Sequence, residues 1–343
     1  MKTIKLAVGL LALCAASAMA QNVKITPLGS HAGELCDRDR ATIFEDPTGV
    51  RILYDAGQTV MGANDPRLGN IHAVLLSHAH GDHMGDRKIA ALNNPGSCER
   101  PETVSAAPHS TTAEIAAAKN SALVMIASTT AFLGKKIENI RGKPTPACAM
   151  DGVTIAAVQS SPCLASIHLG GTRIIKAAGA ASGVEITSVF ASHDSRVARE
   201  LLTDVQQKGV APDNINVSLD PPIGYVLKFT NGLRVYMSGD TGIHGEMQTV
   251  IRAFHKPNLV LMNLGLAAIL PDSAAFAINE MLRPASVIVS HVNEAATSGG
   301  VLRANTYTKS FIDQVKGRPV YLGISGKTFE FDGSGTCMAG GCY

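Results

Sequence analysis

The sequence predicts an α/β fold built from two sheets. Two observations carry this: short apolar runs recur at lengths that suit strands covered on both faces, and stretches of helical period follow them in each half of the chain. Residues 23–28, 42–45, 51–54 and 73–76 read as the first sheet, apolar or β-branched segments separated by Gly-, Pro- and Asp-containing breaks. Residues 153–158, 172–176, 184–190, 224–229 and 233–237 read as the second, with later strands at 259–262, 286–290, 319–322 and 328–331. Helical period places helices at 111–120, 197–207, 245–254, 273–281 and 301–315. Between the halves, 87–152 is less regular. Ala, Ser and Thr dominate from 105 to 131, where a helix or two is expected, and the apolar 123–126 either packs on the core or lids a site. Nothing reads as a linker, a low-complexity tract or a short repeat, so a single domain is expected over 21–343.

The first 20 residues are set apart from that domain. Lys2 and Lys5 precede an apolar run over 6–16, and Ala18-Met19-Ala20 supplies the small-x-small pattern of a signal peptide cleaved after Ala20. A lipoprotein signal at Cys14 fits less well, because Leu13 is bulky for the position before such a cysteine. A retained anchor fits less well still, since the run is shorter than the roughly 20 residues a span requires. A periplasmic or secreted location and no stable membrane anchor follow as expectations. Without Lys2 and Lys5 the chain carries 28 basic and 28 acidic residues. That balance leaves no basic face for nucleic acid and points to a small-molecule substrate. Six cysteines remain, Cys36, Cys98, Cys148, Cys163, Cys337 and Cys342, an even number that suits disulfides in an exported chain. Cys337 and Cys342 could close a small loop and Cys148 and Cys163 flank a strand; free buried thiols are the alternative.

Chemistry concentrates in Leu75–Asp86, where His78, His80, Asp82 and His83 fall within six residues. The apolar run before them ends as a core strand turns into a loop. Residues two apart in an extended segment project to one side, so His78 and His80 can grip one ion. Gly81 would let the backbone fold sharply and swing Asp82 and His83 toward a second position. Imidazole and carboxylate donors suit zinc, iron or manganese.

HAHGDH resembles the HxHxDH signature of the metallo-β-lactamase superfamily, and the family's later blocks can be matched in order. His193 follows Val189-Phe190-Ala191, Asp240 stands in MSGDTG, and His291 follows Ser286-Val287-Ile288-Val289-Ser290. The resemblance implies an αββα sandwich, with His78, His80 and His193 holding one metal, Asp82, His83 and His291 a second, and Asp240 bridging them. It also implies that Asp55 supports the ligands from behind; Ser77 reads as a second supporting residue, or else as a strand-end hydroxyl. The region around GYVLKF and MSGDTG, and the ending VYLGISGKTFEF, are most similar to the ascorbate-6-phosphate lactonase-like branch. Val292-Asn293-Glu294 departs from that branch, which often carries Tyr there, so its phosphorylated sugar substrate is not transferred.

The resemblance implies a binuclear hydrolase loaded with two divalent ions, zinc or else manganese or iron(II), that activates a water as hydroxide. Asp82 or Asp240 would pass a proton to the leaving group. An ester or lactone is the leading substrate. A small phosphodiester is the first alternative, then a β-lactam, which the bridging Asp240 disfavours, and a mono-iron sulfur dioxygenase stands as a different class. Asn293 could donate to a developing oxyanion and His31 could touch substrate, each otherwise a loop residue. His72, His109, His168, His244 and His255 read as structural or surface residues.

Overall fold

The structure is a computed structural model that describes residues 21–92 and 96–342. The expected signal peptide and its cleavage site lie outside the described residues. Two mixed sheets dominate. The first runs, in spatial order, Cys163–Leu164, Ala122–Leu123, Ala73–Leu75, Arg51–Tyr54, Thr42–Glu45, Val23–Pro27, Phe329–Phe331 and Cys337–Gly340. The second runs Met150–Asp151, Thr154–Ala156, Thr172–Lys176, Val184–Phe190, Ile223–Lys228, Arg234–Met237, Leu259–Asn263, Ser286–Ser290 and Val320–Leu322.

Alternation along these strands builds three apolar layers. Ile52 and Tyr54 point to the space between the sheets, where they meet Tyr225, Leu227 and Val235 of the second sheet. Leu53 and Val74, one residue out of phase, pack outward with Ala113, Ile115, Leu133 and Ile137. The second sheet mirrors this, with Tyr236, Val260 and Val287 packing outward against Met247, Ile251, Ile278 and Phe311. Helix, sheet, sheet, helix is therefore the layering, as the resemblance implied. Apolar residues on both phases are why these strands read as continuous apolar runs. Between the sheets, Phe44 stacks on Phe229 with ring centres 6.0 Å apart, and Tyr54 meets Tyr225 edge-on at 6.3 Å. The buried Tyr225 hydroxyl lies 3.0 Å from the carbonyls of both Leu76 and Val124, tying one sheet to the other. Removing that hydroxyl should cost about 1–3 kcal/mol, because two buried carbonyls lose a donor.

Segment 87–152 packs on the core. Helices Thr111–Lys119 and Ala127–Arg141 bury Ala113, Ile115, Leu133 and Ile137 in the outer layer of the first sheet, and Ala122–Leu123 joins that sheet as a strand. Two helices differ from the sequence reading. Over 197–207 there is a short 3-10 turn at Arg199–Leu201 and a helix at Asp204–Val210, started by a capping box between Thr203 and Gln206. Over 301–315 the helix is Tyr307–Gln314, entered where the Thr306 side chain accepts from the Lys309 amide, while Val301–Leu302 forms a small hairpin strand. All six cysteines pair, as Cys36–Cys98, Cys148–Cys163 and Cys337–Cys342.

Candidate metal centre

Strand direction gathers the ligands. Val184–Phe190, Arg234–Met237, Leu259–Asn263 and Ser286–Ser290 all run the same way, because Ile223–Lys228 is antiparallel to its two neighbours. Their C-terminal ends share one edge of the sheet and deliver His193, Asp240 and His291 there. From the first sheet, Ala73–Leu75 runs out at the same place, and the Ile223 amide donates to the Ser77 carbonyl at 2.9 Å, joining the two edges. His80 begins a single helical turn, Gly81–Met84, which carries Asp82 and His83. Gly81 does not supply the sharp fold expected of it. The left-handed residue is Gly85 at φ 80°, whereas Gly81 is needed for space: a Cβ there would lie 2.4 Å from an Asp86 carboxylate oxygen.

The seven sequence-predicted ligands come together in three overlapping groups, each with ligand atoms within 4.8 Å of one another: His78, His80 and His193; Asp82, His83 and His291; and, between them, His78, His83 and Asp240. Asp240 faces both sides. Its Oδ1 lies 3.5 Å from His83 Nε2 and 3.3 Å from His291 Nε2, while Oδ2 lies 3.7 Å from His193 Nε2. The Nε2 atoms of His78, His80, His83 and His291 are buried without a hydrogen-bond partner. Buried polar nitrogens are rarely left so, and several converging on one space are what a divalent-ion site needs.

The opposite ring nitrogens show why Nε2 is the free one. Ser77 Oγ donates to Asp55 Oδ2 at 2.8 Å, so the lone pairs of Ser77 Oγ face His78 Nδ1 at 2.9 Å and accept its proton. His83 Nδ1 donates to Asp55 Oδ2 at 2.8 Å. Protons held on Nδ1 leave Nε2 lone pairs for a metal. Asp55, buried and at φ 44°, and Ser77 thus occupy the supporting positions expected of them.

Charge inside the cluster is large. Burial would lower His83, but Asp240, Asp55 and Asp82 outweigh it and hold its pKa at about 10. Burial would raise Asp82 and Asp240, yet surrounding imidazoles, and for Asp82 also Arg40, hold both well below the usual carboxylate range. Burial and neighbouring positive charge press His78 and His291 down, and His80 is lowered chiefly by burial. Anionic carboxylates beside imidazole donors match the demand of a hard-to-borderline cation.

Two contributors were missed by the sequence reading. Arg40, from the loop between the first two strands, is buried and donates from Nε at 3.2 Å and Nη2 at 2.9 Å to Asp82 Oδ2. Its Nη2 also reaches Asn293 Oδ1 at 2.6 Å. The second is Asn263, at the end of Leu259–Asn263, whose Nδ2 donates to Asp240 Oδ1 at 3.1 Å. Asn293 is exposed, and its amide oxygen is engaged by Arg40. His31 does not reach the centre; it bonds Ser30 Oγ and the Gly96 carbonyl. A cleft of about 700 Å³ opens beside the ligands, with His80, Asp82, Arg40 and Asn293 in its wall.

Residues 50–291 match the family model described as the beta-lactamase superfamily domain, a stretch that contains all seven ligands and Asp55. A metal-dependent hydrolase of Cupriavidus taiwanensis is 26% identical over 237 residues, which is 68% of this chain and 63%, under two thirds, of the relative. Another, from Cupriavidus necator, is 25% identical over 272 residues, 77% of this chain and 74% of the relative. The solved structure of Igni18, a metallo hydrolase from Ignicoccus hospitalis, is similar in fold. Its TM-score is 0.53 at 20% identity, covering 91% of this chain and 99% of that one.

Proposed function

We infer that this chain, which belongs to the β-lactamase superfamily and is a metal-dependent hydrolase, holds two divalent ions and cleaves a carboxylic ester or lactone outside the cytoplasm. The observation that carries the reading is Asp240, whose two oxygens each face a different group of imidazoles. His78, His80 and His193 would hold one ion, Asp82, His83 and His291 the other, and Asp240 both. Ions bound there would supply a Lewis acid for the substrate carbonyl and a water acidic enough to attack near neutral pH. Zinc fits the donor set, as do manganese and iron(II).

The chain's own groups divide the remaining work. Asp55 and Ser77 fix the rings of His83 and His78. Asn263 holds Asp240 from one side, which keeps the bridging carboxylate from turning. Asp82 is the carboxylate that substrate can reach, its side chain 32% exposed against 8% for Asp240. Asp82, ionised at rest, would take the proton released by the attacking water and pass it to the departing alkoxide. Arg40 orients Asp82 for this with two donated bonds. Three disulfides support an exported location, since such bridges persist in oxidising compartments.

The test is metal content of protein purified without added metal, joined to a screen of lactone, ester, phosphodiester and β-lactam probes. Close to two ions per chain, with lactone or ester turnover lost in Asp240→Asn and His83→Ala, is the expected result. Turnover of phosphodiester or β-lactam alone would move the bond type. One iron and no hydrolysis would replace the mechanism with a mono-iron dioxygenase.

A further inference from the structure

We propose that Asp194 is an eighth ligand of the metal centre, a terminal carboxylate on the ion that His78, His80 and His193 would hold, and that it turns that half of the centre toward manganese or iron(II) and away from zinc. This rests on the two-ion reading and deepens it, by naming what the more open half selects.

Asp194 directly follows His193, and its two oxygens divide between two imidazoles of that group. Oδ2 lies 3.2 Å from His80 Nε2, and Oδ1 lies 3.6 Å from His193 Nε2. Donors about 2.1 Å from one tetrahedral ion stand about 3.4 Å apart, so both separations suit ligands that share an ion. The oxygens of Asp240 stand off from their imidazoles in the same way, at 3.3, 3.5 and 3.7 Å. A plain ion pair with the rings is the alternative. Yet His80 Nε2 makes no hydrogen bond, even with an Asp194 oxygen 3.2 Å away. Donors whose lone pairs converge on a common point, and not on each other, have this geometry.

The position is built, although the Asp194 side chain is half exposed. The next residue, Ser195, is buried; its Oγ accepts from the Ala79 amide at 3.1 Å and donates to the Leu219 carbonyl at 2.7 Å. Ala79 lies between His78 and His80, so this bond ties the backbone beside Asp194 to the backbone of the first two ligands. Arg196 Nε donates to Asp194 Oδ2 from outside. The other carboxylates of the centre are held likewise, Asp82 by Arg40 and Asp240 by Asn263. A donor behind a carboxylate sets its orientation toward an ion. Three imidazoles and a share of Asp240 leave this half short of negative charge beside the half that owns Asp82. Asp194 offsets that shortage and adds a fifth donor to those four. Zinc settles with four ligands, whereas manganese and iron(II) accept more and suit carboxylate oxygen.

The test reads metal binding and not turnover. Metal-free wild type and Asp194→Asn are titrated with manganese and, separately, with zinc, and the visible absorption of each cobalt(II)-loaded form is recorded. Asp194→Asn should weaken manganese at one ion by about a hundredfold and zinc there by about tenfold or less, since a ligand matters at least as much as the groups behind it. The other ion should keep its affinity, and the cobalt absorption should intensify as the coordination number falls. Arg196→Gln separates ligation from the bare field of a carboxylate. Deleting a nearby cation tightens metal binding if only charge matters, and weakens it if Arg196 positions Asp194. Unchanged manganese affinity or an unaltered cobalt spectrum in Asp194→Asn, equal losses for the two metals, or tighter binding in Arg196→Gln overturns the proposal. One ion per chain in wild type would end the two-ion reading, and the response of that ion to Asp194→Asn would still decide the role of Asp194.

Discussion

The two halves of the metal centre are built differently. His83 and His291 are fully or nearly buried, Asp82 is held by Arg40, and His83 is held by Asp55. His80 and His193, in the other half, are partly exposed at 18% and 14% of their side chains, and their charged neighbour is the half-exposed Asp194, at 3.2 and 3.6 Å. Only His78 there has a buried support, Ser77. One half is therefore fixed and charged before any ion arrives, and the other sets the buried His78 beside two imidazoles partly open to solvent. Order in the first is set by the buried Asp55 and Arg40 contacts, whereas in the second only His78 is held from behind.

Asp240→Asn should strike both halves at once. Losing the shared carboxylate is expected to cost on the order of 4 kcal/mol of transition-state stabilisation, about 10³-fold in kcat, with metal content falling below two. If the halves were independent, one ion would stay at full occupancy. Next in size, His83→Ala and His80→Ala should each leave about one ion, but only His83→Ala should also destabilise the chelated protein. It takes the imidazole from the buried Asp55, leaving only the Ser77 donors on that carboxylate, a change worth roughly 3 kcal/mol by thermal or denaturant unfolding. Equal Tm values for the two variants would erase the distinction.

Asp55→Asn sharpens it further. Affinity should fall by about 10- to 100-fold at one of the two ions only, read as a split in a two-step metal titration. The pH dependence is smaller but carries a sign. His83 is raised to about 10 in the metal-free protein, so its imidazolium stabilises the fold fully below the ordinary His value, and that contribution is lost as pH rises toward 10. Metal binding must expel this proton, whereas His78 and His80, both pressed down, have none to lose at neutral pH. Calorimetry in two buffers of different ionisation enthalpy should therefore show proton release for one ion and little for the other.

The sequence exposed the seven ligands because each stands just past an apolar strand, and strand ends of one direction must meet along one edge. Asp55 was legible for the same reason. Arg40 and Asn263 were not. Arg40 sits in a charged DRDR stretch that reads as a solvated loop, and its burial follows from tertiary packing with Asp82 and Asn293, distant in sequence. Asn263 looks like the polar end of an apolar strand until its neighbour proves to end in Asp240. The helix expected over 197–207 misjudged apolar spacing, although Thr203 and Gln206 already spelled the capping box that sets the true start. Gly81 shows a subtler limit: a glycine between ligands was read as a hinge, and its use is clearance for Asp86.

The Cys36–Cys98 bridge encloses a stretch of 62 residues that contains Arg38, Arg40, Asp55 and the whole of HAHGDH. On a chain-entropy account, closing a loop of that length removes about 4 kcal/mol of freedom from the unfolded chain. Its practical meaning lies in how the protein is made. Material produced in a reducing host is expected to keep both sheets, which the bridge does not cross-link to each other, while the loop carrying Arg38 and Arg40 loses its tether. Specific activity, and not soluble yield, is then the measure of correctly matured protein.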